Sequence, residues 1–267
     1  MYANVLLIIL KEDSMKKIAL CCLLMAVSVA GFSQASSWWR IPAIGSGPGA
    51  YGSYWLSDVY LFNPNNFNIN VELVMVHASG SYGVLTYPVP AWDSLTIEDV
   101  GYEFSLQGAA ALQLQGQGGA LFYVMSRTYN LEIDGDTLGQ DVPGQDWCAG
   151  QYPSGPYEGL LFLGIQLDSQ FRTNFGFMGD STPADLQVDV YDGNGNYIVS
   201  IPVHLNAWSG TSFSLSAYTN ATIVNGYALA FVESTAQTCV NGYASVVDNG
   251  TQDGTYIGGQ YITDPTR

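Results

Sequence analysis

Lysine is almost missing. The 267 residues contain three, Lys11, Lys16 and Lys17, all within the first 35 positions, and the other strong bases are Arg40, Arg127, Arg172 and Arg267. Two of the 23 acidic residues, Glu12 and Asp13, also fall in that leader, so from residue 36 onward four arginines face 21 carboxylates, a net charge of −17. Nucleic acid and anionic lipid head groups are bound chiefly through Lys and Arg, which excludes both as partners. The acidity itself fits solubility in an exposed setting; attraction of cations such as Ca²⁺ is the functional alternative.

Histidine is nearly as scarce. His77 and His204 stand alone at predicted strand ends, and no Gly-x-Ser-x-Gly elbow accompanies them, so neither a nucleophilic triad nor a closed zinc ligand set is expected. Paired carboxylates could run glycoside hydrolysis, but Glu72, Glu98, Glu103, Glu132, Glu158 and Glu233 sit in no recognisable context, and a hydrolase is the least favoured reading. Arg127 and Arg172 are expected as ion-pair partners of nearby carboxylates rather than ligand clamps.

Long apolar runs are absent apart from the leader. Met15-Lys16-Lys17 begins a basic segment, Ile18 to Ala30 is an apolar stretch of 13 residues, and Ser33-Gln34-Ala35 suits cleavage before Ser36. That stretch falls short of the ~20 residues that span a bilayer. Residues 1–35 are therefore expected to be an N-terminal extension and a removed Sec-type signal peptide, with Met15 the expected initiator. The mature chain is expected outside the cell or at its surface, with no membrane insertion. Beyond residue 35 only Cys148 and Cys239 remain, and in an oxidising compartment an even pair points to one disulfide.

Long helical periodicity is also lacking. What is present is short apolar runs broken by Gly, Pro, Asn and Asp every 8 to 12 residues, an all-β signature. In Leu186 to Trp208, Leu186, Val188 and Val190 alternate with polar partners, Asp192-Gly193-Asn194-Gly195-Asn196 follows, and Ile198, Val199 and Ile201 resume the apolar run, a β-hairpin pattern. Val71, Leu73 and Met75 echo it upstream, with His77 to Gly83 as the turn and a return strand ending at Trp92 as the later one ends at Trp208. Trp55 to Leu61 matches Phe171 to Phe177 at an offset of 116, Val71 matches Leu186 at 115, and Ser126 and Asn130 match Ser245 and Asn249 at 119. Offsets that drift only at turns indicate duplication. The expected organisation is a β-sandwich over residues 36–130, a packed Gly/Asp/Pro-rich linker over 131–157, and a second β-sandwich with a C-terminal tail over 158–267, two tandem immunoglobulin- or fibronectin-III-like domains.

Ile41-Pro42-Ala43, the stretch from Trp55 to Pro64 ending in Leu-Phe-Asn-Pro, Ser126 to Asn130, Gly139 to Gly144, Phe171 to Phe177 and Ala244 to Thr251 together resemble a tandem immunoglobulin-like β-sandwich module of secreted and surface bacterial proteins. The resemblance covers nearly all of the mature chain and implies a fold but no activity. Leu56 departs from the pattern, which has arginine there.

Three features are candidate sites. Asp192, Asn194 and Asn196 place oxygens at alternate positions, as an EF-hand loop begins, but the glycine at the sixth position and the glutamate at the twelfth are missing; turn chemistry is the simpler account, a weak Ca²⁺ site the other, and no other cofactor is expected. Trp92 and Trp208 occupy matching positions, where they are expected either to fill the same gap in each sandwich or to present a sugar-stacking platform. Asn220-Ala221-Thr222 and Asn249-Gly250-Thr251 match the glycosylation sequon and are taken as ordinary loop residues. The expected function is a secreted, non-catalytic module for extracellular binding, structure or adhesion, its partner an unidentified extracellular protein or glycan; a lectin-like carbohydrate binder is the alternative.

Overall fold

Apolar side chains at every second position bury one side of a strand, and Leu186, Val188 and Val190 are all buried. Asp189, expected on a solvent face, is buried as well and accepts Gln187 Nε2–H at 3.0 Å. A computed structural model describes residues 35–78, 80–146, 158–233 and 238–263. The chain is all-β, with several antiparallel sheets.

The first half contains β1 (Trp38–Pro48), β2 (Tyr54–Phe62), β3 (Ile69–His77), β4 (Gly80–Val89), β5 (Ser94–Ile97), β6 (Gly108–Gly116), β7 (Tyr123–Leu131), β8 (Thr137–Pro143) and β9 (Gln145–Asp146), with a helical turn, α1 (Val100–Glu103), before β6. The second contains β10 (Glu158–Leu167), β11 (Phe171–Met178), β12 (Ala184–Tyr191), β13 (Tyr197–Leu205), β14 (Gly210–Ser214), β15 (Ile223–Val232), β16 (Asn241–Asp248), β17 (Gly254–Gly258) and β18 (Gln260–Thr263). One leaf of the first half runs β4-β3-β6-β1-β9 and the other β5-β2-β7-β8, the two joined by a short β1–β2 pairing at Gly47 and Trp55. The second half runs β13-β12-β15-β10-β18 and β14-β11-β16-β17. Adding nine to every strand number of the first half reproduces the pairing order of the second.

Within each half the two leaves share one core. Ile41, Val71 and Leu112 from one leaf meet Val59, Leu61 and Val142 from the other. In the second half Phe162 packs edge-on against Phe175 and Phe177, at ring-centroid distances of 5.6 and 5.9 Å, each such pair adding roughly 0.5–1.5 kcal/mol beyond its buried area. One polar device recurs. The Ser57 hydroxyl bonds both N–H and C=O of Gly45, and the Thr173 hydroxyl, 116 residues on, bonds both groups of Gln166. Each closes backbone groups that a buried strand would otherwise leave unsatisfied.

The structure amends several expectations. The segment 131–157 is not free of strands: it holds the end of β7 and all of β8 and β9, while residues 147–157, with Trp147 and Cys148, lie outside the described residues. β3 runs to His77 and β4 starts at Gly80, so the first hairpin turn is shorter than His77 to Gly83. The match of Ser126 with Ser245 is one residue out. Val59 lies opposite Ser126 and Phe175 opposite Ala244, so the structural partner of Ser126 is Ala244, at an offset of 118. A one-residue slip exchanges the faces of a strand: Ser126 points into its own core, whereas Ser245 donates to Gln140 Oε1 of the first half at 2.9 Å.

That last bond belongs to a broad contact between the halves, which lie in one compact unit. Arg40, fully buried, donates from Nη1 to Asn241 Oδ1 at 2.6 Å, and Gln145 Nε2–H donates to the Tyr256 hydroxyl at 3.0 Å. Tyr243 leaves its own half and enters the core of the first, its ring stacked on Tyr256 at 5.8 Å. Val76, Ala111 and Met178 form a small apolar cluster across the same contact.

Candidate functional site

Because the halves repeat strand for strand, their equivalent surfaces can be compared. The outer face of β11 and β16 carries Arg172, Asn174 and Gly176 with Tyr243, Ser245 and Val247, and the first half covers it. The corresponding face of β2 and β7 is open. There Tyr60 and Phe62 stand opposite Met125 and Tyr123, all four exposed, and the rings of Phe62 and Tyr123 lie 6.2 Å apart. At the same end of the leaf, Leu121 precedes Tyr123, and Ser94, paired with Phe62, follows Trp92 by two residues. Leu121, Phe67 and Trp92 are exposed too.

The opposite end of this face is polar. Asp58, Arg127 and Asp141 stand in register on β2, β7 and β8. Asp58 Oδ1 accepts the Tyr129 hydroxyl at 3.3 Å and the Asp99 N–H at 3.0 Å. Burial and then the Asp58 carboxylate push the Tyr129 hydroxyl up to about 12, so it remains a neutral donor. Tyr60 is raised by the same two causes. Arg127 lies 5.0 Å from the centre of the Tyr129 ring and donates to Thr137 Oγ1 at 3.0 Å. No carboxylate lies within 4.0 Å of Arg127 or Arg172 among the described residues, so the expected ion pairs are not formed.

The tryptophans do not plug a gap. Trp92 is 66% exposed and Trp208 37% exposed. What they share is backbone: φ is 58° at Trp92 and 54° at Trp208, the left-handed region, and each N–H ties the turn to the loop after the second strand of its half, at Asn65 O (3.2 Å) and Asp180 O (2.6 Å). The two turns share a backbone geometry and differ in burial.

At Asp192, the carboxylate accepts from Asn194 N–H, Asn196 N–H and Asn196 Nδ2–H at 2.8 to 2.9 Å, and the Asn196 bonds foremost hold its titration below the usual carboxylate range. Its oxygens are thus engaged by donors of its own loop, in the manner of an Asx turn. The described residues contain no cluster of three or more His, Cys, Asp or Glu side chains placed to hold a metal ion. His204 Nδ1 lies 2.7 Å from Asp185 Oδ1 on the exposed edge hairpin, and His77 ends β3 at the surface. Cys239 is buried beside Arg40; its expected partner Cys148 lies outside the described residues.

A second feature had no sequence signal. Between the halves lies a cleft of about 370 Å³, walled by Trp55, Thr128 and Gln140 on one side and by Arg172, Asn174 and Tyr243 on the other. The end of β1 and the turn after it, Gly45 to Ala50, border it, and at Gly49 an added Cβ would stand 2.6 Å from Trp55 Nε1, so only glycine permits that approach. The lining residues are scattered along the chain from Ala43 to Val247, which is why no local pattern marks them.

The sequence matches no family model and no curated protein. Among solved structures it is similar to Thermotoga maritima 1070 (10% identity, 43% of this chain and 97% of that one, TM-score 0.33). Others are PNGase F (7% identity, 85% and 93% covered, TM-score 0.28) and an α-L-rhamnosidase of Streptomyces avermitilis complexed with L-rhamnose (7% identity, 86% and 26% covered, TM-score 0.23). At TM-scores this low, none of these proteins informs the fold or the activity of the chain.

Proposed function

We propose that the chain is an exported, non-catalytic binding protein of two tandem immunoglobulin-like β-sandwiches, and that the open face of β2 and β7 binds carbohydrate. The sandwich reading is supported by strand order. In each half the first, sixth and third strands pair in that order, as do the second, seventh and eighth, matching strands B-E-D and C-F-G of an immunoglobulin sandwich. The fourth and fifth strands are then additions between D and E. The signal-like segment from Met15 to Ala35 supports export.

The observation that carries the ligand class is the contrast between Tyr60 and Phe62 and their equivalents, Gly176 and Met178. The fold is built without aromatic rings at those places in the second half, so the exposed rings of the first are not required by the architecture. Aromatic faces bury the apolar face of a sugar ring while Asp58, Arg127 and Asp141 offer hydrogen bonds along the same surface. A glycan array followed by calorimetry on the best ligand tests this. Binding should be lost in a Phe62→Ala, Tyr123→Ala double variant that retains the wild-type melting temperature; binding to no glycan, or unchanged binding in the folded variant, refutes it.

A further inference from the structure

Arg172 takes no part in the open face. It is 9% exposed, it stands between the cleft and an adjoining pocket that Tyr51 and Asn249 also line, and among the described residues no carboxylate lies within 4.0 Å of it. This occurs in a chain whose mature part has 21 acids to four arginines, so a partner would be easy to supply. Neutral groups hold it instead. Nη1 donates to Asn249 Oδ1 at 2.9 Å, Nη2 donates to Gln252 Oε1 at 2.8 Å, and the guanidinium carbon lies 5.4 Å from the Tyr51 ring centre. These contacts orient the guanidinium and leave its charge uncompensated, a costly state for a buried ion. Nor does the fold need arginine here, since the equivalent place in β2 is Leu56.

The walls around it are suited to a polyhydroxylated molecule. Asn174, Ser212 and Ser214 line the cleft with neutral amide and hydroxyl side chains, Gln140 and Ser245 border it bonded to each other, and Trp55 provides an aromatic wall. We propose that the cleft is a second binding site, selective for a small carboxylate-bearing sugar of the uronic acid class, with Arg172 receiving the carboxylate. Guanidinium and carboxylate match as planar partners, and the ligand supplies the negative charge that the protein withholds.

The site is separate from the open face, and the experiment keeps the two apart. Glucuronate and galacturonate, with glucose and galactose as neutral controls, are titrated into the mature chain by calorimetry and by ligand-observed NMR. Uronates should bind and neutral sugars should bind at least about tenfold more weakly. Arg172→Gln should reduce uronate affinity by about tenfold or more, Arg172→Lys by less, and the Phe62→Ala, Tyr123→Ala variant should leave it unchanged. Melting curves establish that each variant is folded, and Arg172→Lys serves if Arg172→Gln is not. Absence of uronate binding, equal binding of the neutral sugars, or full affinity in a folded Arg172 variant overturns the proposal. Loss of uronate binding in the face variant alone assigns the ligand to the face instead, and overturns it equally.

Discussion

Tyr60 and Gly176 hold the same position in the two halves, one exposed and the other pressed beneath Tyr243. An added Cβ at Gly176 would lie 2.0 Å from Tyr243 Cε1, so the closed face depends on a missing side chain as the open face depends on a present one. Gly176→Ala should therefore destabilise the protein by about 1–3 kcal/mol through overpacking. Tyr60→Ala, at the surface, should cost within about 0.5–1 kcal/mol. Denaturant unfolding measures both, and equal effects would contradict the asymmetry.

Trp92 carries backbone strain on an exposed side chain. A bulky residue in the left-handed region costs about 1–3 kcal/mol, and glycine relieves it. Trp92→Gly is expected to leave the melting temperature unchanged or raised while weakening glycan binding. A large loss of stability would show that the indole supports the fold rather than the ligand.

His204 gives a pH signature. Its hydrogen bond to Asp185 raises it above the ordinary value of 6.5. Because the folded value is the higher, the pair's contribution is fully present below the unfolded value and is lost as pH rises through the folded one. An NMR titration should find His204 above 6.5, and Asp185→Asn should return it towards that value. No displacement in the variant would remove the carboxylate as the cause.

Cys148 and Cys239 provide a covalent test. Mass spectrometry of the unreduced chain should find it two hydrogens lighter than the dithiol, with Cys148 and Cys239 in one peptide pair. Free thiols at both positions would exclude the bridge.

The hairpin at Leu186 to Trp208 and its upstream echo were legible because a period of two is a local property, and the offsets of 115 and 116 for the paired strands hold in space. Ser126 and Ser245 misled because identity of residue type was stronger there than register, and only the pairing of β16 with β11 reveals the slip. β8 carries no legible alternation because Gly139, Asp141 and Pro143 interrupt it; Gly139 is required where a Cβ would meet Thr128 O at 2.4 Å. The open face was hidden for another reason. Exposed rings at Tyr60 and Phe62 have the same sequence pattern as buried ones, and only their comparison with Gly176 and Met178 in the folded chain separates the two.

The most direct test of the central claim is calorimetric titration of the leading array glycan into the wild-type chain and into the Phe62→Ala, Tyr123→Ala variant. The open face predicts saturable binding to the wild type and a loss of about tenfold or more in the variant, with both proteins melting at the same temperature. Equal affinity in the two proteins would contradict it.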